Sequence, residues 1–295
     1  MILTTGKHTL DLGSRVHIMG ILNVTPDSFS DGGAFTTDEA ILKHTERMIR
    51  EGADLIDIGG ESSRPFAQPV SIEEEIRRVI PAIRAIRGRF SLPISIDTTK
   101  ARVAEVALDN GADIINDISA LRFDPDMTYL ARDRRCPIII MHMQGTPSDM
   151  QVKPNYTDVI QETIAFFRER LQALTDAGIE AQRIIIDPGI GFGKTLAHNL
   201  AILRQVADYQ LLGHPVLIGH SRKSFLTKLL GEDLGDRDLP TAVISGLLAA
   251  RRVAILRVHD VKGTAQALCL AQALTTGPQP TPSAPMPRPD AAGTE

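Results

Sequence analysis

Eight short apolar runs, rich in Ile and Val, recur along the chain, and each ends in polar residues. They are HIMGILNV at 17–24, DLIDIGG at 54–60, PISID at 93–97, DIINDI at 113–118, CPIIIMHM at 136–143, RIIIDPG at 183–189, PVLIGHS at 215–221 and AILRVHD at 254–260. The runs are continuous rather than alternating, which is typical of strands buried on both faces of a parallel sheet covered by helices. The pattern therefore predicts eight parallel strands.

Segments with apolar residues at three- and four-residue spacing lie between these runs and predict helices; they cover 38–52, 71–89, 100–110, 156–178 and 241–252. Alternation of this kind over about 250 residues predicts an α/β fold, a (β/α)8 TIM barrel, after an N-terminal extension of eleven or so residues. The alternative is an open, doubly wound sheet. That fold would favour a Gly-rich GxGxxG turn after the first strand, and the sequence there, NVTPDSFSDGG, lacks this spacing.

Composition narrows the class of protein. The net charge of −4 provides no global field to attract nucleic acid or an anionic membrane. No uncharged apolar run approaches about 18 residues, and the first fifteen residues do not form a signal peptide, so we expect a cytoplasmic protein without membrane contact. The two cysteines are far apart and indicate neither a disulfide framework nor a zinc site. We predict a barrel domain over 1–276 and a disordered Pro-rich tail at 277–295.

The polar residues at the strand ends are the strongest functional signal, because TIM barrels build their active sites at the carboxyl ends of the strands. They are Asn23, Glu61, Ser62, Ser63, Arg64, Asp97, Asn116, His142, Asp187, Ser221, Arg222, Lys223, Arg257 and His259. Any single one could be structural: Asp97 could cap a helix and Asp187 could start a turn. The complete circle of polar ends favours an active site.

Two chemistries are present in this circle. Asp97, Asn116 and Asp187 suit the adjacent donors of a guanidine-like edge, which suggests an aminopyrimidinone ring. Two carboxylates in one barrel mouth need a cation, and Lys223 is the plausible one. A metal-binding carboxylate pair is the alternative, disfavoured because the histidines are not at ligand spacing.

The second group carries amide, hydroxyl and cationic side chains: Asn23, Ser62, Arg64, Arg257 and His259. Such residues beside Gly-rich turns indicate a phosphate-type anion site, although either arginine could instead form a surface salt bridge.

A family resemblance covers about residues 15–275. The ordered strings GILNVTPDSFSDGG, GGESSRP, IDTTK, INDI, MHMQGTP, DPGIGFGK, GHSRKS and RVHDV closely resemble those of dihydropteroate synthase, an enzyme of folate biosynthesis. The resemblance implies condensation of 6-hydroxymethyl-7,8-dihydropterin diphosphate with p-aminobenzoate, which yields 7,8-dihydropteroate and diphosphate. It also implies a homodimer and a target of sulfonamides, which mimic p-aminobenzoate.

The resemblance also assigns residues to three subsites. The pterin subsite would comprise Asp97, Asn116, Asp187, Lys223, Met141, Gly219 and Phe192. The diphosphate would be handled by Asn23, Ser62, Arg64, Arg257 and His259, with Asn23 also meeting a bridging Mg²⁺, an ion that prefers oxygen ligands and phosphate. The p-aminobenzoate subsite would be formed by Phe29, Ser63, Pro65, Ser221 and Phe192, partly from two mobile loops.

No Ser–His or Cys–His nucleophile is indicated, and an aromatic amine is neutral at pH 7, so the leaving group is what needs help. We expect dissociative cleavage of the pterin CH₂–O bond, with Arg64, Lys223, Arg257 and His259 as the catalytic set. Two other functions remain open at this point. They are a methyltetrahydrofolate:corrinoid methyltransferase-like barrel, which would not need the anion residues, and a non-catalytic pterin-binding paralogue.

Overall fold

The structure, a computed structural model, describes residues 1–5, 8–24, 37–62 and 68–276. Several predictions concern residues outside these ranges: the Pro-rich tail at 277–295 and the site residues Phe29, Ser63, Arg64 and Pro65. None of the described helices is long and apolar enough to span a membrane.

An antiparallel hairpin of β1 (Ile2–Thr5) and β2 (His8–Asp11) precedes a sheet of eight parallel strands. These strands are β3 (His17–Asn23), β4 (Leu55–Gly59), β5 (Ile94–Asp97), β6 (Ile114–Asp117), β7 (Ile138–Met141), β8 (Ile184–Asp187), β9 (Leu217–Ile218) and β10 (Ile255–Val258). Their order is β8-β7-β6-β5-β4-β3-β10-β9, and a parallel bridge between Ile186 and Val216 joins the two ends. The predicted TIM barrel is confirmed, with each strand inside its predicted run.

The helices cover the outside of the barrel. They are α1 (Thr37–Glu51), α2 (Ile72–Arg89), α3 (Ala101–Asp109), α4 (Asp126–Arg134), α5 (Val159–Asp176), α6 (Leu196–Arg204), α7 (Val206–Gln210), α8 (Ser224–Leu230), α9 (Asp238–Ala249) and α10 (Val261–Thr276). The five predicted helices are all present. Periodicity missed α4 and α6 because their buried faces are sparse or polar: α4 buries Met127 and Ala131, and α6 buries Asn199 beside two apolar residues.

Two apolar layers arise from the alternation of side chains along each strand. One set, such as Ile138 and Ile140, packs outward against the helices. The other points inward at the amino-terminal end of the barrel and comprises Met19, Leu55, Ile114, Ile139, Ile185, Leu217, Ala254 and Ile255. Leu3 and Leu12 from the hairpin region are buried against this inner set, so the N-terminal extension closes the bottom of the barrel. The carboxyl ends of the strands are left for polar residues.

Candidate active site

Strand register brings the predicted polar residues to one level of the barrel. Asn23, Gly59, Asp97 and Asn116 are successive register partners on β3 to β6, and Met141 is paired with Asp187 on β7 and β8. Because neighbouring parallel strands lie roughly 4.8 Å apart, these side chains converge on one mouth. Strand register therefore brings these residues together, while the roles assigned to them stay predictions.

A small cavity in this mouth is lined by Asp97, Asn116, Ile118, Met141, Asp187, Phe192, Gly219, Lys223 and Arg257. Every residue predicted for the pterin subsite is in this set. Ile118 was missed because an apolar residue after a strand gives no signal that separates a cavity wall from ordinary core. Arg257, which the sequence assigned to the anion group, also lines this cavity.

Arg257 is the cation between the buried carboxylates. Its Nε donates to Asp57 Oδ2 at 2.6 Å, and its Nη2 donates to Asp97 Oδ2 at 2.7 Å. Burial alone would lower the pKa of Arg257, but Asp57 and Asp97 together raise it above its ordinary value. The structure adds a second cation to the predicted Lys223: Arg257 pairs directly with Asp97, because its forked guanidinium can reach two carboxylates at once. The charge of Lys223 acts on Asp187 and Asp97 through space.

Asp57 is a further residue of the candidate site that sequence reasoning missed. It is fully buried on β4, and besides Arg257 it accepts a hydrogen bond from Asn116 Nδ2 at 3.1 Å. Thus Asp57 orients both the arginine and the amide of the predicted pterin subsite. A signal was available: Leu55, Asp57 and Gly59 occupy alternate positions of the strand, and Leu55 belongs to the inward-facing set, so Asp57 also faces the barrel interior.

Burial shifts the titration of Asp97 into the physiological range. Desolvation raises the pKa of Asp97 to about 7, opposed by Arg257 and reinforced by the charge of Asp57. Burial also raises the pKa of Asp187, against the opposing charge of Lys223. One oxygen of Asp187 accepts a hydrogen bond from Gly189 N at 2.8 Å. A ligand that donates hydrogen bonds to Asp97 and Asp187 would therefore favour their ionised forms.

Lys223 forms another wall of the cavity. Its Nζ donates to the carbonyl of Ile190 and lies 4.3 Å from the centroid of the Phe192 ring, a cation–π contact. Burial lowers the pKa of Lys223 to about 7, and Asp187 acts in the opposite direction. Lys223 thus compensates Asp187 through space and fixes the loop that carries Phe192.

The predicted anion group is assembled in part. Ser221 Oγ and His259 Nδ1 are 3.0 Å apart, and His259 N donates to Ser221 Oγ at 3.1 Å, so the ends of β9 and β10 are tied together. Ser221 was expected beside p-aminobenzoate and His259 beside diphosphate, and the structure makes them neighbours. Asn23 is partly exposed at the end of β3, and Ser62 follows β4.

Gly59 leaves the space between Asn23 and Asp97 open. A Cβ built on Gly59 would lie 3.6 Å from Asp97 Cβ and 3.8 Å from Asn23 Oδ1. Gly59 therefore lies between the Asn23 amide and the Asp97 carboxylate at the strand ends. The two predicted chemistries are adjacent across this one strand.

Comparison with known proteins defines the class first. The family model described as "Pterin binding enzyme" matches residues 19–259, and the chain belongs to this family. Within that family it is similar to dihydropteroate synthases, which are transferases. The enzyme of that name from Synechocystis sp. is 44% identical over 273 residues, which cover 92% of this chain and 94% of the relative.

Solved structures agree. The Yersinia pestis dihydropteroate synthase with a sulfonamide drug has a TM-score of 0.87 and 42% identity, covering 94% of this chain and 100% of the other. The Xanthomonas albilineans enzyme with 4-aminobenzoic acid has a TM-score of 0.87 and 46% identity, covering 94% and 99%. At 42% and 46% sequence identity, both proteins share more with this chain than the fold. The corrinoid methyltransferase and the non-catalytic paralogue, which remained open from the sequence, are therefore set aside.

Proposed function

We propose that the cavity of Asp97, Asn116 and Asp187 binds the pterin ring of 6-hydroxymethyl-7,8-dihydropterin diphosphate, and that the chain couples it to p-aminobenzoate. The observation that carries this proposal is the convergence of these three side chains with Arg257 in one cavity. A guanidine-like edge supplies adjacent N–H donors, which carboxylate and amide oxygens accept. A flat ring would also fit against Phe192 and Met141, which are buried together in one apolar cluster.

The diphosphate is proposed to leave toward Arg257 and His259. His259 is held by Ser221, and Arg257 is held by Asp57 and Asp97, so both donors are oriented before substrate arrives. Preorganised donors aimed at a leaving group stabilise the charge that develops on it. Arg64 and Ser62 join this group on the evidence of the sequence. The pterin CH₂–O bond breaks first, and the amine then attacks the methylene carbon and loses a proton.

The residues present fit a bridging Mg²⁺. Among the described residues no cluster of three or more His, Cys, Asp or Glu side chains forms a metal cage. Asn23 offers a partly exposed amide oxygen near the site, which suits an ion that takes most of its ligands from phosphate and water. When bound, Mg²⁺ would neutralise charge on the departing diphosphate.

The p-aminobenzoate is proposed to enter beside Ser221 and Phe192. These residues belong to the segments after β9 and β8, at the rim of the pterin cavity. Phe29, Ser63 and Pro65 complete this subsite on the evidence of the sequence alone. An amine placed there would lie beside the pterin cavity, where it can attack the methylene carbon once the CH₂–O bond has broken.

A coupled assay of diphosphate release tests the proposal. Purified protein is incubated with dihydropterin diphosphate, p-aminobenzoate and Mg²⁺, and each component is omitted in turn. We expect product only when all three are present. Diphosphate release that does not depend on p-aminobenzoate would contradict the assigned coupling, and full activity in excess chelator would contradict the proposed Mg²⁺.

The chain is also proposed to form a homodimer through α9 and α10. Five large apolar side chains are exposed together along a groove between these helices: Leu239, Val243, Leu247, Leu270 and Leu274. A contiguous apolar patch of this kind marks an interface, and in a two-fold dimer the same patch covers its own copy. The partner that covers this patch is proposed to be a second copy of this chain, in agreement with the homodimer that the family resemblance implies.

A further inference from the structure

Lys194 is a buried basic side chain that the proposed chemistry does not use. Burial lowers the pKa of Lys194 to about 7, and the nearby charge of Asp187 acts in the opposite direction. It follows the DPGIGFG segment between β8 and α6 and is 2% exposed. Its Nζ has three partners: His142 Nδ1 at 3.0 Å, His142 O at 3.3 Å and Phe192 O at 3.0 Å. None of these partners is a carboxylate. A lysine is seldom buried in this way unless it is paired, so its retention here needs a reason.

The three partners connect two loops of the barrel mouth. His142 follows β7 and Phe192 follows β8, and one ammonium group holds both backbones. Burial lowers the pKa of His142 to about 2, so its ring stays neutral and Nδ1 can accept a hydrogen bond. An ammonium group has three donors, and here all three meet an acceptor.

The same two loops are in direct backbone contact. Gly189 and Gly193 have φ of +72° and +60°, and a Cβ on them would lie 2.0 Å from His142 O and 2.7 Å from Gln144 O. No side chain can therefore be inserted between the loops. Lys194 Nζ donates to the same His142 carbonyl that Gly189 approaches. The position of Nζ is therefore tied to the distance between the two loops.

Phe192 is the element that this arrangement holds over the site. Its ring lines the cavity beside Asp187 and contacts Lys223, while its own carbonyl accepts from Lys194. We propose that Lys194 is a positioning residue that fixes Phe192 against the pterin ring by clamping the loop after β8 to the loop after β7. The inference rests on the pterin subsite proposed above.

The test is a double-mutant cycle on pterin affinity. Lys194→Met, Phe192→Ala and the double variant are titrated with a pterin product analogue, and binding is followed by pterin fluorescence without turnover. Lys228→Met is the matched control, because Lys228 is exposed on α8. We expect each single change to weaken pterin binding about tenfold, and the double change to weaken it no further than Phe192→Ala. The KM for p-aminobenzoate should rise more in Phe192→Ala than in Lys194→Met.

The outcomes distinguish the pterin role of Phe192 from the positioning role of Lys194. Unchanged affinity in Phe192→Ala would overturn the pterin role proposed for Phe192, and the positioning role with it. If the losses of pterin affinity add up in the double variant, the positioning role of Lys194 is overturned and the pterin role of Phe192 is not. A lowered Tm in Lys194→Met with unchanged pterin affinity would show a purely structural lysine. If Lys194→Met does not fold, Lys194→Gln, which keeps a donor for one carbonyl, takes its place in the same cycle.

Discussion

Arg257 Nη2 lies 2.7 Å from Asp97 Oδ2, although the two residues are 160 positions apart in the chain. The same guanidinium reaches Asp57, so one cation compensates two carboxylates inside the barrel mouth. This contact joins the pterin side of the site to the anion side. Under the proposed function, Arg257 is both a counterion of the two carboxylates and a donor for the leaving group.

Arg257→Ala should abolish most of the activity. Removing one preorganised donor costs about 10²–10³ in kcat, and here two carboxylates also lose their partner. Steady-state diphosphate release measures the loss. Arg102→Ala is the control, since Arg102 is largely exposed and pairs with Glu105 on its own helix. Its kcat should change by no more than about twofold, because exposed helix pairs contribute little. Similar kcat values for the two variants would contradict the role of Arg257.

Asp57→Asn should destabilise the fold by about 2 kcal/mol, because Arg257 and Asn116 lose a charged acceptor inside the protein. The free energy of unfolding in urea measures this effect. Asp133→Asn is the matched control on the surface, where the carboxylate pairs only with its neighbour Arg132. We also expect a raised KM for the pterin substrate in Asp57→Asn, since the Asn116 amide is no longer oriented. An unaltered unfolding free energy would count against Asp57 as an organising residue.

Pterin affinity should pass through a maximum near pH 7. The pKa of Asp97 is raised to about 7, so the acceptor form is lost as the pH falls below that value. The pKa of Lys223 is lowered to about 7, so its ammonium donor is lost as the pH rises above it. Because charged neighbours influence both groups, the two limbs of the profile report apparent pKa values.

Fluorescence titration between pH 5 and 9 measures this profile. Asp97→Asn should remove the acid limb and Lys223→Met the alkaline limb. The sign for stability follows from the same shift. Because the folded-state pKa of Asp97 exceeds the unfolded value of about 3.9, its contribution favours the folded state at low pH and declines as the pH rises toward 7. A flat affinity profile would contradict these assignments.

Gly189→Ala should disrupt the pterin cavity, and Gly213→Ala should not. Both glycines have positive φ, +72° and +78°, so both substitutions cost about 1–2 kcal/mol of backbone strain. A Cβ on Gly213 meets nothing within 4 Å, whereas one on Gly189 would lie 2.0 Å from His142 O. The free energy of unfolding and the pterin affinity are measured for both variants. A larger loss in Gly189→Ala than in Gly213→Ala reports the contribution of the loop contact. Equal behaviour of the pair would show that this contact is not needed.

Leu247→Asp should convert the proposed dimer to monomers. Leu247 is 56% exposed in the groove between α9 and α10. A carboxylate buried there would meet no cation among the described residues that line the groove, whose charged members are Asp236, Asp238 and Asp260. Sedimentation equilibrium measures the mass. Leu211→Asp is the control, because Leu211 is 85% exposed outside this face. Loss of the dimer in both variants, or in neither, would contradict the assigned interface.

The local patterns in the sequence determined much of this protein. Continuous Ile- and Val-rich runs can only be buried on both faces, so eight strands and the TIM barrel follow from them. Polar residues at their ends predict a pterin subsite, and the residues predicted for it line one cavity in the structure. The hairpin at the amino terminus was not predicted as such, because two four-residue strands carry too few apolar positions to show a period.

Only the tertiary structure decided which charges are partners. The Coulomb energy of a pair depends on distance and burial, and neither is visible along a chain in which Asp57 and Arg257 are 200 residues apart. The sequence therefore named Lys223 as the counterion, while strand register placed Arg257 nearer to Asp97. In the same way, Lys194 stands in a motif that the sequence displays, but its three acceptors come together only where two loops meet.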